Sequence, residues 1–362
     1  MSTFNLDNIL SQFVIEGKVE SVKPLGNGLI NDTFRVVTEG DAPDYVLQRI
    51  NNNIFTDVDL LQHNIEAVTG HIRRKLEAAG ADDIDRKVLR FVATQQGKTY
   101  YLDNEGRYWR VSVFIPDAVT YEQVDPTSSR NAGKAFGEFE SMLVDLPEQL
   151  GETIPDFHNM ELRARQLQEA IEQDKAGRVA GVADIIADLQ KDMHEMCKAE
   201  RLFREGKLPK RICHCDTKVN NMMYDKQGNV LCVIDLDTVM PSFVFSDYGD
   251  FLRTGANFVA EDDPKIENVG FNQDIFRAFT EGYIESARSF LTPVEVENLP
   301  YAVALFPFMQ CVRFFADYLN GDTYYKIAYP EHNLVRTRNQ QALYHRVTDN
   351  VDMLDNFIRT LI

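Results

Sequence analysis

The sequence is poor in the features that mark secreted or membrane proteins. It has only five cysteines in 362 residues. An odd number without framework spacing is typical of a reducing cytoplasm, where we expect this chain. The N-terminal residues have neither a basic start nor an apolar core, so we expect no signal peptide. No apolar run looks long enough to cross a bilayer, so we expect no membrane segment.

Positive charge is also scarce. The sequence has 38 lysines and arginines against 56 aspartates and glutamates, which gives a formal net charge of -18. This excess of acid argues against nucleic acid and anionic membranes as partners. It fits a cationic substrate or, more simply, a solvated acidic surface. The hydrophobic content of 44% is enough for one large or two moderate cores.

The most informative segment is His214–Asn221, which reads H-x-D-x-K-x-x-N and precedes an apolar strand ending at Asp235. Protein-kinase catalytic loops have the form H-R-D-x-x-x-x-N, with a metal-binding Asp downstream. Asp216 would accept the proton of the attacking hydroxyl, and Lys218 would reach the γ-phosphate. The joint order of these residues predicts phosphoryl transfer from ATP.

Oxygen-bearing side chains near this loop suit magnesium. Asn221 and Asp235 offer the hard ligands that Mg²⁺ prefers. Asp237 follows Asp235 by two residues, so in extended chain it projects to the same side and could join the metal shell. Residues 222–234 read as two strands around a polar turn, a hairpin that would bring Asn221 and Asp235 together. Cys213–Cys215 is a weaker alternative as a zinc site, because no second pair of ligands follows.

The first third of the chain has a strand-rich pattern with one helix. Its turn-rich segment would let backbone N–H groups approach nucleotide phosphates, although an ordinary hairpin turn looks the same. The candidate nucleotide contacts in this segment are Gly26, Asn27, Gly28 and Asn31. The strand Tyr45–Ile50 carries Arg49 where kinases place a phosphate-binding lysine. Val113 and Ile115, at the end of the last strand, fit the connector that holds adenine, or simply a buried strand at a domain boundary.

After about residue 117 the chain turns largely helical. The pattern predicts an α+β, two-lobed, protein-kinase-like fold. A small antiparallel β-sheet lobe with one helix would precede a larger, mainly α lobe containing the catalytic β-hairpin. We expect residues 1–116 to bind the nucleotide and residues 117–362 to hold the catalytic and substrate-binding groups.

The catalytic motif and this layout resemble the aminoglycoside phosphotransferase and choline kinase group, relatives of the protein kinases. Within that group, four segments are similar to N-acetylhexosamine 1-kinases, which phosphorylate the anomeric hydroxyl of N-acetylglucosamine or N-acetylgalactosamine. These segments are 45–51, 233–241, 247–253 and 313–322. The resemblance spans nearly the whole chain and implies ATP and Mg²⁺ as cofactors.

The resemblance also implies an acceptor site. Arg313 and Asp317 are candidates for sugar hydroxyls beside the base Asp216, and Phe251 and Tyr324 for the aromatic face of the ring. Arg313 and Asp317 would equally suit a buried ion pair between helices. We expect a small-molecule sugar and ATP as partners, and a monomer or simple homodimer. The alternatives are a kinase for choline, homoserine or an aminoglycoside, and a nucleotide-binding pseudokinase.

Overall fold

The structure is a computed structural model that describes residues 4–26 and 30–362. Asn27 and Gly28, two of the expected nucleotide contacts, lie outside the described residues. The chain forms two compact units. Unit 1 contains the residues up to Val119 together with Asp145–Pro155 and Met223–Val239. Unit 2 contains Thr120–Val144, Asp156–Met222 and Met240–Ile362.

Unit 1 is built on an antiparallel five-stranded sheet in the order β1-β2-β3-β5-β4. Its strands are β1 Val19–Pro24, β2 Asp32–Thr38, β3 Tyr45–Ile50, β4 Tyr101–Leu102 and β5 Tyr108–Val113. Side chains alternate between the two faces, so one face buries Leu47 of β3 with Trp109 and Val111 of β5. The side chains at the intervening positions of each strand therefore point to the opposite face of the sheet.

The other elements of unit 1 are helical or form the predicted hairpin. The helices are α1 Leu6–Leu10 and α2 Val58–Ala78. Asp57 caps α2 by accepting the N–H of Leu60 at 2.9 Å, as its position before the apolar period predicts. A two-stranded sheet pairs β7 Met222–Tyr224 with β8 Val230–Val233, so the hairpin expected between Asn221 and Asp235 is present.

Unit 2 is mainly helical. Its helices are α3 Pro126–Leu143, α4 Met160–Gln173, α5 Ala183–Met196, α6 Lys198–Arg204, α7 Phe245–Gly255, α8 Gln273–Ala287, α9 Pro293–Glu297, α10 Leu299–Leu319, α11 His332–Thr348 and α12 Val351–Arg359. Two short strands, β6 Arg211–Cys213 and β9 Met240–Ser242, pair antiparallel on either side of the catalytic segment in sequence. The N-terminal sheet and helical remainder confirm the predicted α+β fold.

Several element boundaries differ from the sequence pattern for local reasons. The sequence pattern predicts a strand over residues 88–93, but they form none, although the Phe91–Ser112 bridge attaches them to β5. The pattern also predicts one helix over 293–319, where the structure has two, because Pro300 lacks an N–H and favours a new helix start after Asn298. The helix α7, which begins at Phe245, is absent from the sequence prediction.

The expectation of no bilayer-length apolar segment needs correction. Helix α10 is long and apolar enough by length and composition, with a mean hydropathy of 1.4, but 89% of its apolar window is buried inside unit 2. Its side chains contact α4, α7 and α11. Burial on all sides explains why this helix lacks a polar stripe.

Helices α3 and α8 approach so closely that their backbones nearly touch. A Cβ atom at Gly282 of α8 would lie 2.0 Å from the Arg130 carbonyl oxygen of α3. A Cβ atom at Gly133 of α3 would lie 2.1 Å from the Phe279 carbonyl oxygen. The missing side chains are therefore a packing requirement, since neither glycine has a positive φ.

We expect Gly282→Ala to lower the free energy of unfolding by about 3 kcal/mol, because the added methyl group would force two helix backbones apart. Urea denaturation followed by circular dichroism measures the loss. Gly181→Ala is the matched control, since nothing lies within 4 Å of a Cβ atom at Gly181. Equal stability of the two variants would contradict the close helix contact.

Candidate active site

The catalytic loop is held by one buried carboxylate. Asp247 of α7 accepts the backbone N–H groups of His214 and Cys215, each at 2.7 Å. The Thr217 hydroxyl donates to the Asp247 carbonyl oxygen at 2.8 Å. Cys215 has a φ of 62°, a left-handed conformation that a side chain rarely adopts. The loop has little regular structure of its own, so these bonds fix its path.

This loop brings together the two predicted catalytic residues, Asp216 and Lys218, and the predicted magnesium ligand Asn221. The Lys218 ammonium lies 2.8 Å from one Asp216 carboxylate oxygen and 3.1 Å from the other. The Asn221 side-chain amide donates to the Asp216 carbonyl oxygen at 2.7 Å and to its carboxylate at 3.2 Å. Burial alone would lower the pKa of Lys218, but attraction by Asp216 outweighs it and raises that pKa. Lys218 therefore carries a positive charge at neutral pH.

The predicted magnesium ligands fall in both units. In unit 2, both printed bonds of Asn221 come from its amide nitrogen, and its Oδ1 accepts none from the described residues. In unit 1, Asp235 follows β8 with a left-handed φ of 58°. An amide oxygen and a carboxylate are the ligand types that Mg²⁺ prefers, so the chemistry of the two side chains fits the ion.

The expectation that Asp237 binds metal needs correction. Its carboxylate is 4% exposed and lies 2.5 Å from the Arg110 guanidinium. The Asn31 amide donates to the same carboxylate at 2.7 Å, and the Asn31 side-chain oxygen accepts the N–H of Asn51 at 2.9 Å. The side chains of Asp237 and Asn31 therefore stabilise unit 1 by bonding to other residues of unit 1. Their contacts support neither a metal role for Asp237 nor a phosphate role for Asn31.

The phosphate role expected for Arg49 also needs correction. Arg49 lies on the core face of β3, where it pairs with Asp32 at 2.5 Å. The strand cation that meets helix α2 is Arg110, which contacts Gln48 at 2.9 Å and Gln62 at 3.4 Å. Side chains alternate along a strand, so a cation one position away from Gln48 faces the opposite side. In the sequence, Arg110 could have been recognised as a single charged residue between the apolar residues Trp109 and Val111.

The end of β5 has a backbone donor for which the described part of the chain offers no acceptor. The Val113 N–H donates to Arg90 and the Phe114 N–H to Asp44, at 2.9 and 2.8 Å. Among the described residues, the Ile115 N–H donates to none, and its side chain is 3% exposed. The connector role predicted for this strand end therefore rests on Ile115. Gly26, at the other predicted nucleotide segment, has a φ of 70° and open space at its Cβ position.

A group of aromatic and cationic side chains in unit 2 surrounds the predicted acceptor residue Arg313. We call it the Arg313 cluster, and its members are Phe157, His158, Arg163, Arg313 and Tyr325. The Arg313 guanidinium lies 5.3 Å from the Phe157 ring centre and 5.8 Å from that of Tyr325. The Phe157 ring stacks on His158 at 4.4 Å, and its carbonyl oxygen accepts an Arg163 N–H at 2.6 Å.

The Arg313 cluster is electrostatically positive, and His158 within it responds to the charge of Asp216. Burial and the charges of Arg313 and Arg163 hold the pKa of His158 well below its usual range, while Asp216 acts in the opposite direction. Burial and Arg313 lower the pKa of Arg163 to about 10. His158 is therefore a neutral imidazole, whose Nδ1 lies 3.0 Å from the Ser246 hydroxyl. His158 and Arg163 had no distinctive sequence signal.

The direct sugar contact expected for Asp317 needs correction. Its carboxylate accepts the backbone N–H groups of Thr323, Tyr324 and Tyr325 at 2.8–3.0 Å. It also accepts the Asn333 side-chain amide at 2.9 Å. Asp317 is thus saturated with donors and shapes the loop after α10. This loop presents Tyr324, which is 65% exposed, so the expected aromatic contact of Tyr324 stays a prediction.

Phe251 is the second acceptor residue that needs correction. Its side chain has no exposed surface, and its ring stacks on Phe279 with centres 4.1 Å apart. Phe136 packs against its edge. Phe251 follows the buried period of α7, so it fills the helical core and offers no face to a ligand.

The comparisons with known proteins agree with this architecture. The sequence profile of the Phosphotransferase enzyme family matches residues 21–283, which is more than half of the chain. Solved structures with similar folds include a spectinomycin phosphotransferase in complex with ADP and spectinomycin. It has a TM-score of 0.54 and 13% identity, covering 98% of this chain and 99% of that one.

Two further neighbours are kinases of small alcohols. The Plasmodium vivax ethanolamine kinase has a TM-score of 0.53 and 14% identity, covering 90% of this chain and 84% of its own. The choline kinase from Cryptosporidium parvum has a TM-score of 0.55 and 12% identity, covering 94% of this chain and 92% of its own. At these identities the likeness shows a shared protein-kinase-like fold.

We expect Asp237→Asn to lower the free energy of unfolding by about 3 kcal/mol, because the buried Arg110 charge loses its counter-ion. The Mg²⁺ concentration for half-maximal activity should stay near that of the wild type. Denaturant titration and a Mg²⁺ titration of activity measure the two effects. Asp117→Asn, in an exposed pair with Lys226, should leave the stability close to that of the wild type, because water screens such a pair. A higher Mg²⁺ requirement at unchanged stability would restore Asp237 as a metal ligand.

We expect Asp317→Asn to raise the KM for the acceptor about tenfold, equivalent to roughly 1.4 kcal/mol, because an amide nitrogen would then face backbone N–H donors. The KM for ATP should change less than about twofold, within the scatter of a surface substitution. Steady-state kinetics with each substrate varied in turn measure both constants. The exposed Glu331→Gln is the control, and an equal rise in both KM values would argue against a local loop effect.

Proposed function

Because the chain belongs to the Phosphotransferase enzyme family, we propose that it is an ATP-dependent kinase of N-acetylhexosamines. It transfers the γ-phosphoryl group of ATP to the anomeric hydroxyl of N-acetylglucosamine or N-acetylgalactosamine and releases the sugar 1-phosphate. The resemblance of residues 45–51, 233–241, 247–253 and 313–322 to N-acetylhexosamine 1-kinases supports this acceptor.

The geometry of the catalytic loop supports the reaction type. Asp216 is the only carboxylate of the H-x-D-x-K-x-x-N segment, and Lys218 and Asn221 both contact it. An ammonium that neutralises the carboxylate in the resting enzyme can shift toward the phosphoryl oxygens when ATP is bound. Asp216 is then left to accept the hydroxyl proton, which the acidity of an anomeric hydroxyl assists.

The nucleotide and metal roles that we propose are those predicted from the sequence, without the residues corrected above. Mg²⁺ neutralises phosphate charge when it is bound, and Asn221 and Asp235 are its proposed ligands. Gly26 and the Ile115 N–H are the described residues that retain a proposed nucleotide role. We assign nucleotide binding to residues 1–116 and catalysis and acceptor binding to residues 117–362. Five unpaired, buried cysteines fit the reducing cytoplasm in which we place the protein.

The observation that carries the acceptor class is the positive character of the Arg313 cluster. Arg313 and Arg163 act on His158, whose pKa also responds to Asp216, so the cations lie in the same electrostatic environment as the proposed base. A quaternary ammonium or an aminoglycoside would meet repulsion there. A neutral sugar would instead find hydrogen-bond donors and aromatic faces. The second candidate is another small hydroxyl acceptor such as choline, which the net charge of -18 favours.

We expect Asp216→Asn to lower kcat by about 10² to 10⁴, the usual effect of losing a general base, with little change in the KM for ATP. ADP release with Mg-ATP is measured on N-acetylglucosamine, N-acetylgalactosamine, glucose, galactose, choline, homoserine and kanamycin. Turnover confined to the N-acetylhexosamines, with an acid-labile sugar 1-phosphate as product, is the expected result.

Two other outcomes of the same experiment would change the proposal. Turnover only on choline, homoserine or kanamycin would replace the acceptor and retain the catalytic residues. Near-normal turnover of Asp216→Asn on any acceptor would remove Asp216 as the base.

A further inference from the structure

A second buried carboxyl group lies behind the catalytic loop. Glu140 of α3 is 2% exposed, and one of its oxygens accepts the Tyr283 hydroxyl of α8 at 2.5 Å. Its other oxygen, Oε1, has no hydrogen-bond partner in the described residues. Ligand atoms of Glu140, Cys213 and Asp247 all lie within 4.8 Å of one another. Glu140 thus lies beside the carboxylate that holds the catalytic loop.

Two carboxylates this close cannot both keep a negative charge without water, so the pair holds a proton. Burial raises the pKa of Asp247, but its two backbone N–H donors at 2.7 Å act against burial and stabilise its negative form. Glu140 has only neutral donors beside it, the Tyr283 phenol and the Cys213 thiol, and it accepts no backbone N–H group. The difference in donors places the proton on Glu140. Burial and repulsion by Asp247 accordingly hold the pKa of Glu140 well above its usual range.

We propose that Glu140 is a neutral carboxylic acid that positions Asp247 and, through it, the His214–Asp216 segment. Its role in catalysis rests on the function proposed above. A charged Glu140 would repel Asp247 and loosen the two backbone bonds that set the catalytic loop. Glu140 touches no reacting atom, so it is a positioning residue.

The titratable groups that influence this pair lie on α8, on β6 and in the catalytic loop. They are Tyr283 on α8, Cys213 and Arg211 on β6, and His214 and Cys215 in the loop. Arg211 is already paired with Glu295 at 2.9 Å. Burial raises the pKa of the Cys213 and Cys215 thiols, which stay neutral. Against the effect of burial, the charge of His214 lowers the pKa of Asp247, which also favours the proton on Glu140.

The same side chains have the donor types of a metal site, which gives the test a competing outcome. Both Asp247 oxygens already accept N–H groups, and one Glu140 oxygen accepts the tyrosine hydroxyl. A cation would also need the charged forms of Glu140 and Cys213, and burial disfavours both. We therefore favour the proton over a metal.

The proposal is tested with Glu140→Gln and Glu140→Leu, and with Glu138→Gln as an exposed control on the same helix. A glutamine keeps the shape and a neutral donor, whereas leucine removes both. Infrared spectroscopy should show the carbonyl stretch of a protonated carboxyl group in the wild type, and Glu140→Gln should lose that band. Hydrogen exchange of the His214 and Cys215 amides should stay slow in Glu140→Gln and accelerate in Glu140→Leu.

Activity gives a second readout. Glu140→Gln should keep kcat within about threefold, and Glu140→Leu should lose about tenfold or more in kcat with the KM for ATP nearly unchanged. An equal loss of kcat in both variants would overturn the proposal. So would the absence of the infrared band in the wild type, or a stoichiometric metal that Glu140→Gln loses. If Glu140→Leu does not fold, the infrared band of the wild type and its loss in Glu140→Gln still test the proposal.

The pH dependence of stability tests whether the pKa of Glu140 is raised in the folded protein. A folded-state pKa above the unfolded value means that the folded protein keeps a proton that the unfolded chain releases. The stability contributed by Glu140 is then present below its ordinary pKa and decreases as the pH rises above it. Glu140→Gln should therefore gain stability relative to the wild type as the pH rises above the ordinary range of a glutamate. A difference that is constant with pH would contradict a neutral Glu140.

These readouts separate the two proposals. If the wild type phosphorylates none of the acceptors, the proposed function fails, while the infrared band and the exchange rates still test Glu140. If the wild type is active and the infrared band is absent, only the positioning role fails.

Discussion

The site depends on the interaction between Asp247 and the backbone of the catalytic loop. The residue between the histidine and the proposed base, Cys215, has a left-handed backbone conformation, which is unfavourable for a side chain. Two hydrogen bonds from consecutive N–H groups to one carboxylate hold that conformation. Lys218 and Asn221 can then converge on Asp216 because the turn before them is fixed. Asp247 can hold the turn because its side chain is fully buried beside Glu140 and Cys213.

Much of the fold was predictable from the sequence because it depends on periodic patterns. Alternation marked the strands of the N-terminal sheet, and the spacing of apolar residues marked most helices of unit 2. The catalytic loop and its hairpin followed from polar residues in a fixed order. Predictions weakened where a single residue decides the outcome, as at Pro300, which divides one apolar period into two helices.

The site residues that sequence reasoning misplaced share a physical cause. Arg49 and Arg110 are both cations in adjacent strands, and only the face of the sheet decides which one meets α2. Asp237 and Asp317 look like ligands, yet each is already satisfied by the protein itself. A polar residue in an apolar segment therefore indicates a buried bonding partner, and sequence does not tell whether that partner is protein or ligand. His158 illustrates the converse, since its significance comes entirely from its neighbours.

The contact between α3 and α8 has a consequence for how the site responds to physical stress. Backbone atoms of the two helices meet where Gly133 and Gly282 leave no room for a side chain. Pressure unfolds proteins mainly by eliminating internal voids, and such a contact encloses very little empty volume. Glu140 and Tyr283 bridge these same two helices. The region behind the catalytic loop should consequently be among the least compressible parts of unit 2, so hydrostatic pressure would loosen more open regions first.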